Sequence, residues 1–369
     1  MRALRIDGSS PYRRLIGIGG IGAGIFFELE GNHTLGRHES RLGRLLEVRD
    51  YCKLHIVIHY VAKLLGAHPS GSPFHVVPLG KIGDDAPGGQ MLKEMAEIGI
   101  DTAHVTASSG KPTLFSVCFQ YPDASGGNIT TSNSAAAALS DKDVDEIAEL
   151  LNSDGLLTIA LALPEVSLEV RHHFLKLATE AGAFRAASFA LAEVAPAKAS
   201  RMFQLLDLVS LNEEEAGALV DHPFSADQPE VLIQNCHEFI QTCCPYLKMI
   251  VSVGKGGAYA ITNETWQHCP APAVDVASSA GAGDSLLGGI LSALAVGIPF
   301  IRGKSSNGTV DQSCIRSALE FAVLLASYKC LSPHTINQLA DIDSLSDFAQ
   351  RQGRSFSAEV QRFFTGSRA

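Results

Sequence analysis

The apolar positions of this chain fall into short unbroken runs separated by stretches of helical spacing. Leu15-Ile16-Gly17-Ile18-Gly19-Gly20 reads as a buried strand entering a glycine turn, and residues 74–80 read as a second strand. Between them, Ile25, Phe27 and Leu29 alternate with Phe26, Glu28 and Glu30; this is either about two helical turns or an extended strand over a cleft. Residues 51–65 keep helical spacing up to Gly66, and a further helix runs through Met91, Leu92, Met95 and Ile98. Residues 113–120 partly alternate and precede a polar turn at 122–128, so 112–132 predicts a hairpin. From residue 140 the alternation is regular. Helices are predicted at 141–151 (Ser140 as N-cap), 165–180, 231–242 and 314–328, strands at 156–161, 183–189, 205–211 and 248–254, and a hairpin from 258–262 and 265–268. This order predicts an α/β fold with a mostly parallel sheet covered by helices on both faces. Ligands then bind beyond the carboxyl ends of the strands. Residues 1–14 read as a loose arm, 31–50 as a polar surface segment or substrate flap, and 336–369 as a polar, weakly helical tail.

Three strand-end features carry candidate chemistry. In Ala280-Gly281-Ala282-Gly283-Asp284, small residues open a helix whose apolar positions are Leu286, Leu287, Ile290, Leu291 and Leu294. The first N–H groups of a helix lack intrahelical partners and, with the helix dipole, form an anion site. Asp284 beside that site is a carboxylate base next to a place for developing negative charge, as phosphoryl transfer to a hydroxyl requires. The plainer reading is a helix cap with glycines for close packing. Asn212-x-x-Glu215 offers oxygen ligands to a hydrated Mg²⁺, or simply starts a helix with acids near its dipole. Gly254-Lys255-Gly256-Gly257 allows close approach to a phosphorylated ligand, or is a hairpin entry turn.

Other patterns are weaker. Gly17-x-Gly19-x-x-Gly22 formally matches a dinucleotide fingerprint and keeps a dinucleotide-binding oxidoreductase as an alternative, although the following segment is short for a crossover helix. His55 and His59 share a helix face, but a zinc-protease helix needs Glu where Ile56 stands. Gly303-Lys304-Ser305 lacks the glycine turn of a P-loop and reads as loop.

Composition narrows the partners. A 46% hydrophobic, 18% charged chain is a packed globule, and a net charge of −10 argues against a nucleic-acid or anionic-membrane binder. No apolar run is long enough to span a membrane, and the first residues lack a signal-peptide core. The eight cysteines show no Cys-x-x-Cys pair and read as reduced thiols, so a cytoplasmic location is expected.

The order of these features resembles the ribokinase-like (PfkB) carbohydrate kinase family. The resemblance covers residues 15–335 and rests on Gly281-Ala282-Gly283-Asp284, Asn212-x-x-Glu215, Gly254-x-x-Gly257 and Gly80-x-x-Gly83-Asp84-Asp85. It implies a three-layer α/β/α core, with a small β lid from parts of 24–50 and 112–132, that transfers the γ-phosphoryl of ATP, with Mg²⁺, to a hydroxyl of a sugar, nucleoside or related small molecule. By position it implies Asp284 as base and Gly281, Ala282 and Gly283 as anion hole. Asn212 and Glu215 would organise Mg²⁺ and phosphates, with Glu215 reaching the metal through water, and Gly254, Lys255 and Gly257 would line the nucleotide site. It also implies a homodimer paired through the lid. The departures lie elsewhere. Ser278, Ser279 and Ala280 stand where the family has Asp-Thr-Thr, whose Asp often helps hold a monovalent cation, so K⁺ activation is doubtful. No acid follows the first strand between Gly19 and Gly24, and the family's Gly-Gly-x-x-x-Asn is absent near Cys52, Lys53 and Val57. An unusual acceptor follows, with Glu28, Asn32, Arg37, Lys53, His55, His59 and Asn128 as candidate lining, or else a non-catalytic nucleotide- or sugar-binding protein on the same fold.

Overall fold

The computed structural model describes residues 2–123, 126–303, 307–310 and 313–366. Part of the expected turn at 122–128 and of the expected loop at 303–308 lies outside them. In chain order the first half contains β1 (Arg14–Ile18), β2 (Gly22–Leu29), β3 (Gly43–Tyr51), α1 (Lys53–Leu65), β4 (His75–Gly83), α2 (Ala86–Glu97), β5 (Val105–Ser108), β6 (Leu114–Gln120) and β7 (Gly126–Thr130). The alternating part follows as α3 (Asp141–Asp145), α4 (Ala148–Ser153), β8 (Thr158–Ala162), α5 (Leu168–Glu180), β9 (Phe184–Ser188), α6 (Leu191–Ala199), β10 (Leu208–Asn212), α7 (Glu213–Val220), α8 (Pro229–Cys243) and β11 (Lys248–Ser252). The chain then forms β12 (Ala258–Ile261), β13 (Trp266–Cys269), α9 (Ala282–Val296), β14 (Gly308–Thr309), β15 (Cys314–Ile315), α10 (Ala318–Lys329) and α11 (Ile342–Arg351).

Ten strands make the central sheet, in the order β14-β13-β12-β11-β10-β9-β8-β1-β4-β5. Pairing is parallel from β11 to β5, and only the β11–β12 and β12–β13 pairs are antiparallel. Strand β1 lies between β4 and β8, so the connections diverge there, and the crevice beyond its carboxyl end is where such sheets bind ligands. The sheet separates two cores. One is built on α1, α2, α9, α10 and α11, the other on α3 to α8, which gives three layers. Helix α9 lies against both α1 and α10. A Cβ at Gly289 would stand 2.9 Å from the Ala322 Cα, so glycine is what lets α9 and α10 approach.

A second sheet, β3-β2-β6-β7, spans the segments expected to form a lid and lines a cleft together with residues at the strand ends. Ser116 and Cys118 face the cleft, while the other face leaves Leu45, Phe115 and Ile129 exposed.

Of the two readings of 25–30, the extended strand holds: after the glycines the chain goes straight into β2, with no crossover helix of the kind a dinucleotide site needs. Other expectations are corrected. The polar segment 31–50 includes most of β3, because its apolar positions pair with β2 rather than with a core. Strand β5 had no clear signal in the sequence. The helix at 141–151 is two short helices: Ile147 leaves helical geometry at φ −101° and ψ 4° and is fully buried. The helix expected from 165 starts at Leu168, capped by Ser167. The chain ends are packed. Leu4 is buried and bridges to Phe364, and Ile342, Leu345 and Phe348 bury one side of α11.

Candidate active site

The site is built around the start of α9. Gly281 caps the helix at φ 79°, a left-handed conformation that costs an L-residue energy, and a Cβ there would meet the Thr335 carbonyl oxygen at 2.4 Å. Ala282 N–H donates to the Ser279 carbonyl and Ser285 N–H to that of Gly281 (3.1 and 2.9 Å). Among the described residues, the N–H groups of Gly283 and Asp284 have no hydrogen-bond acceptor, and a Cβ at Gly283 would meet nothing within 4 Å. Two amides at a helix N-terminus without acceptors are available to bind an anion.

Gly281 and Asp284 line a cleft of ≈ 440 Å³ between the strand ends and the second sheet, while Ala282 and Gly283 are not in its lining; the volume suits a small-molecule site. Of the sequence candidates it brings together Gly281, Asp284, Asn212, Lys53 and Asn128. The Lys53 Nζ lies 3.7 Å from the Asp284 carboxylate. Thr335 ties lid to core. Its hydroxyl accepts from Tyr51 N–H (3.1 Å) and donates to the Arg49 carbonyl (3.3 Å), while its own carbonyl abuts Gly281.

The other candidates lie outside the cleft lining. Glu28 pairs with Arg44 on the lid's exposed edge, Asn32 accepts from Asp123 N–H, and Arg37 is exposed. His55 and His59 are buried in the core around α1, their rings among Tyr51 and Tyr60. Burial lowers the pKa of His55 to about 3 and that of His59 well below its ordinary value, so both are neutral. Asn212 caps α7 by accepting from the N–H groups of Glu214 and Glu215, and Glu215 returns a bond to Asn212 N–H. The capping reading of this pair is therefore realised, with Asn212 still at the cleft wall. Gly254 to Gly256 make one tight helical turn after β11, next to the Asn212 end of β10 in the sheet, and Lys255 is exposed.

Two carboxylates in the cleft escaped sequence reasoning. Asp50, at the end of β3, is buried; its carboxylate accepts from the Ser116 hydroxyl (2.5 Å) and the Cys118 thiol (3.1 Å). It stands opposite Gly24 in the β2–β3 register, so an acid reaches the cleft from β3 although none follows β1. Glu165 follows β8 and holds φ 77°, a strained backbone for a non-glycine residue. Its signal was available: Pro164-Glu165 comes straight after the apolar run of a buried strand, at a carboxyl end.

Burial dominates the electrostatics. It raises the pKa of Asp50, with the nearby Asp284 charge adding to the effect. It pushes Glu165 up to about 7, where Lys53 opposes the rise and Asp284 reinforces it. The Asp284 charge, joined by Glu215 and Glu165, raises the Lys53 pKa and keeps it protonated. Glu165 takes up a proton more readily in the folded state than its ordinary value of 4.5 allows, so its contribution to stability falls as pH rises through the window from 4.5 to about 7. Glu165→Gln is expected to leave stability nearly unchanged at the lower end of that window and to raise it by ~3 kcal/mol above the upper end. Urea unfolding at both pH values checks this, and an equal gain at both would sink it.

Comparison with known proteins gives the family and the fold. The model of the pfkB family carbohydrate kinases matches residues 58–342. The chain belongs to this family. It is a PfkB-type carbohydrate kinase, a phosphotransferase with a ribokinase-like fold. It is 26% identical over 223 residues to a ribokinase of Dictyostelium discoideum, covering 56% of this chain and 67% of that one. It is 24% identical over 290 residues to a deoxyribokinase of Salmonella typhi, covering 74% and 81%. The solved structure of Arabidopsis thaliana ribokinase complexed with ribose and ATP superposes with a TM-score of 0.65 at 19% identity, covering 91% of this chain and 98% of that one. At that identity the superposition speaks for the fold. No helix among the described residues is long and apolar enough to cross a membrane.

Proposed function

We propose that this kinase transfers the γ-phosphoryl of ATP to a hydroxyl of a neutral, polyhydroxylated small molecule such as a sugar or nucleoside. The observation that carries the reading is the Asp284 carboxylate in the cleft beside the unpaired N–H groups that open α9. Asp284 takes the proton of the acceptor hydroxyl as the new O–P bond forms and the bond from Pγ to the bridging oxygen breaks, releasing ADP. The N–H groups of Gly283 and Asp284, with the helix dipole, stabilise the charge on the transferring group, and Lys53 adds a fixed positive charge. Gly254, Lys255 and Gly257 border the nucleotide from the neighbouring strand end.

A magnesium ion, when bound, neutralises phosphate charge. Glu215 would hold it through water: its Oε2 accepts from Asn212 N–H and its Oε1 has no hydrogen bond among the described residues, whereas the Asn212 amide oxygen is taken up by the α7 cap.

The acceptor class follows from the cleft's charge. Asp50, Glu165 and Asp284 all line it, against one lining cation, Lys53. Such walls accept hydrogen bonds from hydroxyl groups and repel anionic acceptors. ADP formation is expected with at least one member of a panel of pentoses, deoxypentoses, hexoses, polyols and nucleosides, and with none of their phosphorylated or carboxylate derivatives. ATP binding without turnover on any member would favour the non-catalytic alternative. Turnover confined to an anionic acceptor would overturn the proposed class.

A further inference from the structure

The segment entering the anion hole rests on a buried lysine. Lys329, the last residue of α10, is fully buried, and its Nζ donates to the Ser278 carbonyl oxygen at 2.9 Å. Among the described residues this is the one hydrogen bond of the ammonium. The next residue of α10's end holds the same segment: the Cys330 carbonyl accepts from Ala277 N–H (2.8 Å) and Ser278 N–H (3.4 Å). From Ser278 the chain runs through Ser279 and Ala280, whose N–H donates to the Ser278 hydroxyl (3.3 Å), into Gly281. A buried ammonium is costly unless charge or dipole repays it. Here the end of α10 supplies its negative dipole and the Asp284 and Asp50 charges favour the ammonium, so although burial lowers its pKa to about 8 it stays positive at neutral pH.

This arrangement does not fit a bound K⁺. Ser278 has no carboxylate to offer, and its carbonyl already faces an ammonium. We infer that Lys329 is a built-in monovalent cation: its ammonium on the Ser278 carbonyl braces the segment 278–283, so that the anion hole is assembled without a dissolved cation. Lys329 acts through the loop and is a positioning residue. The consequence for catalysis rests on the kinase reading above, whereas the consequence for the fold does not.

The test compares the full chain in potassium chloride and in tetramethylammonium chloride, a cation too large for the site. Wild-type melting temperature and turnover are expected to be the same in both. Lys329→Ala leaves a cavity at the Ser278 carbonyl. Its melting temperature is expected to drop in tetramethylammonium and to recover with K⁺ or NH₄⁺, which bind only the folded state. Its turnover is expected to fall about 10- to 100-fold in tetramethylammonium, through misplacement of the loop, and to recover with the same ions. Lys329→Arg, which keeps a cation, retains cation independence. A wild-type enzyme whose stability or turnover rises with K⁺ overturns the inference, and that comparison needs no variant. An alanine variant that keeps wild-type turnover without K⁺, or that folds yet responds to no small cation, overturns it as well. If no acceptor is turned over but the melting temperatures follow the expected pattern, the internal cation stands and the kinase reading fails.

Discussion

Asp284→Asn is expected to lower turnover about 1,000-fold, within the span that a positioned general base contributes. The substitution keeps size and hydrogen-bonding shape and removes the one property the proposed mechanism uses, a carboxylate basic enough to accept the hydroxyl proton. Binding moves the other way. Lys53 lies 3.7 Å from the Asp284 carboxylate. Once that charge is gone, Lys53 is freer to meet phosphate, so ATP affinity is expected to hold or to tighten. Calorimetric titration with ATP–Mg²⁺ and a steady-state assay on the best acceptor of the panel separate the two effects. A variant with wild-type turnover would remove Asp284 from the chemistry. A variant that loses ATP binding in proportion to turnover would make it a binding residue instead.

Gly281→Ala is expected to cost both stability and rate. The backbone at φ 79° disfavours any L-residue, by roughly 1–2 kcal/mol. The added methyl would stand 2.4 Å from the Thr335 carbonyl oxygen, and that atom is backbone, in a residue whose side chain is bonded to Arg49 and Tyr51. It cannot swing aside, so the loop itself must shift. The total loss is expected to be about 2–4 kcal/mol, with turnover down about 100-fold for a displacement near 1 Å. Gly283→Ala is the matching control. Position 283 is helical and has open space around it, so its stability is expected to hold or to rise by up to about 1 kcal/mol as glycine leaves a helix. Thermal melts of the two variants decide the matter: equal melting temperatures would show that the strained cap is unimportant.

The cleft also shows why some site residues can be read from the chain and others cannot. Asn212 and the Gly254 turn follow a local rule, a polar or glycine-rich break directly after the apolar run of a parallel strand, because such strands end at one edge of the sheet; Asp284 follows no strand directly and is legible instead from the small residues that open α9, well past the end of β13. Lys53 was placed in the cleft, and the helix it opens was legible from its spacing. His55 and His59, on the same helix, were offered as cleft residues by the same reasoning. The sequence shows that they share a face, and only the packing shows that this face is covered by core. Glu28, Asn32 and Arg37 failed differently. They sit in a polar stretch that reads as a flap, and the lid points them toward its rim.

Asp50 and Lys329 have no local signature. Asp50 closes a strand of mixed polarity, and its role arises because β3 pairs with β2 and brings a carboxylate opposite Gly24 and beside Ser116, which lies 66 residues away. Lys329 ends an ordinary buried helix, and its partner carbonyl lies 51 residues earlier.

By itself the sequence determined the α/β alternation, the parallel core and the carboxylate at the glycine-rich start of α9 that is proposed as base. Periodicity, glycine placement and helix-end chemistry depend only on near neighbours along the chain. The tertiary structure decided what surrounds Asp284: which carboxylates share its cleft, which histidines are buried neutral, and which ammonium meets the Ser278 carbonyl. Those are properties of burial and of contacts across strands and helices, and a residue's solvation and its charged neighbours are set only when distant segments pack together.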